Sequence, residues 1–256
     1  MTKRQKIAIS SLFLAVALAI LPLFPEDLRI YLVFFIVLAS YFLSVWAIYG
    51  QFSGVELLTL FVLPVILTAS FGLFFSTFAT DGMQRLVLAL IYFAVMYTIL
   101  LSSNIFNVSL ERNIPLVRAA RTIGYLATLF VSFAFFTLLF GLGLNVFVFA
   151  TGAFLVSTLL FAQGLWQIEL KQTDFKNLLF SSVAAGLVIG EIALAFGFWP
   201  LSAPKIGLAI TVIVYVVLGV LSHQIRSDLT RRAMLEYLFV AFSLFVLLVV
   251  TTSWGI

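Results

Sequence analysis

Residues 178–199 read LLFSSVAAGLVIGEIALAFGFW, and Glu191 is the one charged side chain in this stretch. About 20 consecutive, mostly apolar residues are enough for an α-helix to cross the hydrocarbon core of a bilayer. The stretch therefore predicts a transmembrane helix that ends near Trp199. It also places a carboxylate inside the lipid, where an unpaired charge is costly.

Composition extends this interpretation to the whole chain. Of its 256 residues, 64% are hydrophobic and 9% are charged, whereas soluble domains carry about 25% charged residues. Since a water-soluble fold must cover itself with polar groups, we expect an all-α, polytopic membrane helix bundle. The bundle forms a single transmembrane domain over residues 1–256, and its continuous apolar runs favour helices over a membrane β-barrel.

Nine segments are long and apolar enough to span a bilayer. The predicted spans cover residues 7–24, 30–49, 57–79, 86–103, 122–141, 146–167, 178–199, 206–222 and 233–254. Residues 141–145 (GLGLN) predict a tight turn between the fifth and sixth spans, because one uninterrupted helix would exceed the bilayer thickness. For the first span there is one alternative, a cleaved signal peptide with Ala17-Leu18-Ala19 at its cleavage site, which would leave eight spans.

The distribution of basic residues predicts the orientation, with the N-terminus inside and the C-terminus outside. On this topology the outer side holds only Arg29, Arg85 and Lys205 among the 14 Lys and Arg residues. The inner side holds the others: Lys3, Arg4, Lys6, Arg112, Arg118, Arg121, Lys171, Lys176, Arg226, Arg231 and Arg232. We therefore expect a multi-pass protein of the plasma (inner) membrane, whose first partner is the lipid bilayer itself.

Most acidic residues have an ordinary structural explanation at a helix end. Glu56 follows Ser53 by three positions, as in a capping box, and Asp174 and Asp228 precede helix starts, as N-caps do. Glu236 lies four residues after Arg232, which predicts an ion pair on one helix face.

Glu191 has no such explanation, because no basic residue lies three or four positions away. At 1.5 Å per residue it lies roughly 20 Å from Asn177 and roughly 12 Å from Trp199, in the outer half of the hydrocarbon. Small residues at 182, 186, 190, 193 and 197 form a packing stripe on another face, so we expect span seven to have two buried faces and a central place in the bundle. The candidate partners of Glu191 are Tyr92, Tyr97, Thr98, Tyr215, Asn145, Arg85 and Lys205.

The longest polar connection, residues 104–121, contains Arg112, Arg118 and Arg121. We expect an interfacial segment on the inner side, interrupted by Pro115. These arginines set the topology and are also candidates for binding lipid headgroups, at roughly 1 kcal/mol for each contact with an anionic lipid.

Several chemistries are absent from the sequence. With no cysteine and His223 as the one histidine, metal sites of the common kinds have too few ligands, and we expect neither a metal nor another cofactor. No P-loop, G-x-S-x-G, G-x-G-x-x-G or H-E-x-x-H motif is present, and the basic charge fits membrane orientation better than nucleic-acid binding.

Three hypotheses for function remain. The first is a small-molecule or ion transporter or channel-like protein, in which Glu191, Tyr92, Tyr97 and Tyr215 bind substrate or ion and a kink at Pro64 serves gating. The second is a non-catalytic membrane subunit or scaffold, bound to another membrane protein or in a homo-oligomer. The third is a lipid-active enzyme at the inner interface, with Glu111 or Glu169 as general acid or base.

Overall fold

The computed structural model describes residues 1–48, 59–78, 81–111, 116–168 and 175–252. Within these ranges all regular structure is helical, and no strand is present. The helices are α1 (Lys3–Ile20), α2 (Glu26–Ile48), α3 (Val62–Thr77), α4 (Gly82–Glu111), α5 (Val117–Gly141), α6 (Val146–Trp166), α7 (Phe175–Gly197), α8 (Ala203–Ile225) and α9 (Arg231–Thr251), with a 3-10 turn at Leu21–Leu23.

Eight of the described helices are long and apolar enough to cross a membrane, and α3, with 16 residues, is shorter. Each of the nine predicted spans overlaps one of these helices. The protein is therefore an all-helical, multi-pass membrane protein, as composition predicts. The overlap is close because the apolar runs that make a span recognisable are the same runs that lipid forces to become helical.

Side-chain caps define several helix ends. The Thr2 side chain accepts a hydrogen bond from the Gln5 amide while the Gln5 side chain accepts one from Thr2, which completes a capping box at α1. Asn145 accepts from the Phe147 amide at the start of α6. The predicted turn between α5 and α6 is confirmed, and Gly143 there has a φ of 64°, a conformation that favours glycine.

The chain divides into two compact units, residues 1–127 and residues 128–256. In the first unit α1 packs against α2 and α4, and α2 packs against α3. The Lys6 ammonium lies 5.0 Å from the centre of the Trp46 ring, and Arg29 donates to the carbonyls of Phe24, Pro22 and Ser76. This arginine thereby satisfies one carbonyl near the end of α3, where a helix has unpaired acceptors, and two carbonyls in the connection between α1 and α2.

Pro64 lies at the third position of α3, just after a turn at residues 60 and 61 that separates the helical Thr59 from α3. The predicted span is therefore interrupted close to this proline, and a gating role for a kink there stays a prediction. In the first turn of a helix the missing N–H of proline has no intrahelical acceptor to lose. The nearby hydroxyls bond as expected: Thr68 donates to the Pro64 carbonyl at 2.7 Å, and Ser70 donates to the Ile66 carbonyl at 2.8 Å.

In the second unit α6 and α7 pack closely along the small residues of α7. A Cβ added at Gly186 would collide with the Thr158 side chain and lie 3.0 Å from the Phe154 carbonyl oxygen. At Gly190 it would lie 2.9 Å from the Phe154 Cβ. We call this contact the α6–α7 seam, and it confirms the packing stripe predicted from the sequence.

Helix α8 packs closely on α5, whereas α9 is mostly exposed. At Gly207 of α8 an added Cβ would lie 2.9 Å from the Thr137 backbone nitrogen. Helix α9 has one buried residue, Leu248. At its carboxyl end, Lys205 donates a hydrogen bond to the Thr251 carbonyl and Trp199 donates one to the Thr252 hydroxyl. Helix α9 is therefore a peripheral helix of the second unit.

The α6–α7 seam gives a direct test of the packing. We expect Gly186→Ala to lower the free energy of unfolding by about 1–3 kcal/mol, because the new methyl group meets backbone atoms that cannot move aside. SDS-induced unfolding in mixed micelles measures the change. Gly82→Ala is the matched control, since an added Cβ there meets nothing within 4 Å; equal effects of the two substitutions would contradict the seam.

Candidate functional site

Glu191 lies on α7 on the side opposite the α6–α7 seam. The seam residues Ser182, Gly186, Gly190 and Ala193 are buried, whereas Glu191 is exposed. Within the second unit, the prediction of a second buried face on this helix is therefore wrong, because no described helix of that unit covers the face that carries the carboxylate. The central place predicted for this helix in the bundle stays a prediction.

The surroundings of Glu191 are apolar. At 100° per residue, the exposed residues around Glu191 fall within one stripe of α7 about 100° wide. The part of this stripe near the carboxylate, which we call the Glu191 face, consists of Ala184, Leu187, Val188, Glu191 and Ala195, with Phe198 just after the helix end. Leu187 is 50% exposed and Phe198 is 72% exposed, so the face is open to lipid on both sides of the carboxylate.

Glu191 has no polar partner in the part of the chain that the structure describes: it forms no hydrogen bond and no ion pair there. An ionised or uncompensated polar group in hydrocarbon costs several kcal/mol. From Gly197, the last residue of α7, Glu191 is roughly 9 Å away along the axis, which exceeds the reach of a glutamate side chain. The residue therefore occupies an unfavourable position when the chain is surrounded by lipid alone.

The tyrosines predicted to join Glu191 have other neighbours. The Tyr92 hydroxyl is fully buried and lies 2.8 Å from the Thr68 hydroxyl; since Thr68 donates to Pro64, Tyr92 is the donor in this bond. The Tyr97 ring stacks on Phe93 with the ring centres 6.2 Å apart. The Tyr215 ring packs against Tyr237 at 5.5 Å.

The remaining candidate partners are also engaged elsewhere. Lys205 donates to the Thr251 carbonyl at the end of α9, Asn145 caps α6, and Thr98 donates to the Ala94 carbonyl at 2.8 Å. Arg85 lies in the first turn of α4, in the first unit. In the described chain Glu191 forms no hydrogen bond or ion pair with these candidates, and the predicted substrate- or ion-binding site stays a prediction.

On the predicted inner side, Arg118 is exposed and Arg121 is half-buried, three positions apart in the first five residues of α5. The Ser102 hydroxyl donates to the Ala120 carbonyl at 3.1 Å and ties α4 to this segment. Arg112 and Glu169 lie outside the described residues, as does the side chain of Glu111. A headgroup site with these arginines stays a prediction, and so do the enzymatic roles of the two glutamates.

Of the predictions made for the other acidic residues, one is confirmed, one is wrong and two lie outside the described residues. Glu236 accepts from Arg232 at 3.2 Å, which confirms the predicted ion pair. Asp228 is not an N-cap: Thr230 accepts from the Ala233 amide at the start of α9, and Asp228 lies 2.8 Å from the His223 ring nitrogen Nδ1. Glu56 and Asp174 lie outside the described residues.

The pair of His223 and Asp228 was not predicted from the sequence. It closes the turn between α8 and α9, and the Tyr237 ring lies 6.1 Å from the imidazole. Its one sequence signal is a histidine five positions before an aspartate across a turn. In the described chain no group of three or more His, Cys, Asp or Glu residues could hold a metal ion. The pair joins the end of α8 to the turn that follows it.

A substitution at Tyr92 tests whether that tyrosine is structural. We expect Tyr92→Phe to lower the free energy of unfolding by about 0.6–1.7 kcal/mol, the range for hydrogen bonds between membrane helices. Tyr97→Phe is the matched control, because its ring stacks on Phe93 without a hydrogen bond from the hydroxyl in the described structure. SDS titration of both variants measures the difference, and an unchanged stability of Tyr92→Phe would contradict it.

Unlike Tyr92, Glu191 is expected to contribute little to the free energy of unfolding. We expect Glu191→Gln and Glu191→Leu to change the unfolding free energy of the purified chain by no more than about 0.5 kcal/mol, because neither removes a contact. The same titration applies, with Tyr92→Phe as the positive control. A loss above about 1 kcal/mol would instead indicate that the carboxylate stabilises the fold through a hydrogen bond.

Comparison with known proteins places most of these features in one family. No curated protein and no solved structure matches the chain. A family model described as "Protein of unknown function (DUF5656)" matches residues 44–251, from the end of α2 to the last residue of α9. The match includes the α6–α7 seam and Glu191. Because it spans most of the chain, the protein belongs to the DUF5656 family.

Proposed function

We propose that the chain is a non-catalytic membrane subunit that binds another transmembrane protein through the Glu191 face. The observation that supports this function is an exposed carboxylate in an apolar stripe of α7. Lipid solvates the leucine, valine and phenylalanine of this stripe as well as a protein does, but it cannot solvate the carboxylate. A partner that covers the face would remove this unfavourable contact.

A transporter or channel is the weaker alternative. Substrate sites near the bilayer midplane gather several polar groups at a protein interior. Glu191 is exposed on α7, and the tyrosines proposed to join it bond or stack with Thr68, Phe93 and Tyr237. A carboxylate on an exposed, apolar helix face suits recognition of a neighbouring helix better than passage of a solute.

The proposal includes a topology of nine spans with the N-terminus inside. Helix α3 is the shortest of these helices, at roughly 24 Å. It counts as a span because α4 then begins on the outer side and ends on the inner side, which keeps the basic residues on the sides that the positive-inside rule predicts. Glu191 falls in the outer half of the hydrocarbon on this topology. The exposed Arg118 then meets anionic headgroups of the inner leaflet, together with Arg112 and Arg121.

Site-specific crosslinking in native membranes tests the subunit function. We expect a p-benzoyl-phenylalanine at Leu187 to give one crosslinked product of discrete mass, because a partner helix lies on this residue. The matched control is the same substitution at Leu247 of α9, which is equally exposed at 50% and is predicted to contact lipid. Immunoblotting of the full-length protein after irradiation compares the two positions.

The pattern of products decides between the alternatives. No product at Leu187, or equal products at Leu187 and Leu247, would contradict a specific interface. A product of twice the chain's mass would show a homo-oligomer at this face and would replace the proposed partner by a second copy.

A further inference from the structure

We infer that the partner bound at the Glu191 face is a transmembrane helix that carries an arginine or lysine at the depth of Glu191. This inference rests on the proposed function and adds the chemistry of the partner. A cation is the group that satisfies a carboxylate most strongly where water is absent, because their attraction is little screened there.

The position of the carboxylate requires the cation to lie within the membrane. Glu191 is the 17th of 23 residues in α7, and the helix end is roughly 9 Å away. An aqueous ion or a lipid headgroup at the surface does not reach this depth. A long basic side chain on a membrane-spanning helix does reach it, and its apolar stem packs on the neighbouring Leu187 and Val188.

A second copy of the chain does not supply this cation. Every Lys and Arg of the described residues lies within the first five positions of a helix or beside a helix end. In a symmetric dimer through this face, the two-fold axis would bring Glu191 against its own copy, and two like charges repel. The cation therefore belongs to a different transmembrane segment.

The shape of the face allows a close approach. Ala195 lies one turn after Glu191 and Ala184 lies two turns before it, and both are exposed. The small Ala195 next to the carboxylate lets a second backbone come near on that side, so that an arginine fork can make two hydrogen bonds to one carboxylate. The bulky, exposed Phe198 lies at the carboxyl end of the face.

A defined peptide tests the charge preference in reconstituted liposomes. The probe is a 21-residue leucine–alanine transmembrane peptide with one central arginine, compared with peptides that carry leucine at the centre or arginine at one end. The chain contains no cysteine, so Ser202→Cys, at an exposed position without a side-chain cap bond, takes a single fluorophore. Energy transfer between this fluorophore and a labelled peptide measures binding by the full-length protein.

We expect the central-arginine peptide to bind about tenfold or more tightly than the other two peptides. Glu191→Gln should abolish this preference, and Glu191→Asp should retain part of it. Glu236→Gln, which removes an exposed carboxylate at the start of α9, is the control and should change nothing. Equal binding of the three peptides, or a preference that survives Glu191→Gln, would overturn the inference.

A second measurement separates this inference from the proposed function. In native membranes the crosslink from Leu187 should fall at least about fivefold when Glu191→Gln is added, because the partner loses its main polar contact. If the crosslink persists unchanged, the subunit function stands and the cationic partner is wrong. If no crosslink forms in either chain, the proposed function itself fails, whatever the peptides show.

Discussion

The absence of water in the hydrocarbon core is the constraint on which the rest of this protein depends. It forces every spanning segment to bond its own backbone, and it makes an unpaired polar side chain costly. Several buried hydroxyls meet this demand locally, because they donate to a carbonyl four residues earlier: Ser11 to Ile7, Ser44 to Ser40, Ser132 to Thr128 and Ser182 to Leu178. An ionised carboxylate has no donor and cannot bond its own helix in this way.

Helix α7 combines two solutions to the problem of association without a hydrophobic driving force. On one side, Gly186 and Gly190 allow α6 to approach until backbone atoms touch, so that van der Waals packing holds the two helices. On the other side, the Glu191 face offers a single strong polar contact in an apolar surface. The first interaction builds the second unit, and the second, in our proposal, recruits a partner.

Much of the fold follows from the sequence, and the candidate site follows less well. The span positions and the glycine stripe were predictable, because residue spacing fixes which side chains share a helix face. The surroundings of Glu191, Tyr92 and Tyr215 were not, because they depend on which helices become neighbours. Pro64 shows the same limit, because the sequence did not predict that the helical backbone is interrupted at residues 60 and 61 and that α3 begins at Val62.

The sequence by itself determined the helical membrane class, the apolar segments and the place of Glu191 within one of them, since lipid selects any apolar run of about 20 residues whatever its neighbours are. Only the tertiary structure decided that the glycine seam is buried and that the Glu191 face is open. The physical reason is that lipid tails and protein interiors are equally apolar. Hydrophobicity along α7 therefore cannot distinguish a face that contacts lipid from a face that contacts another helix.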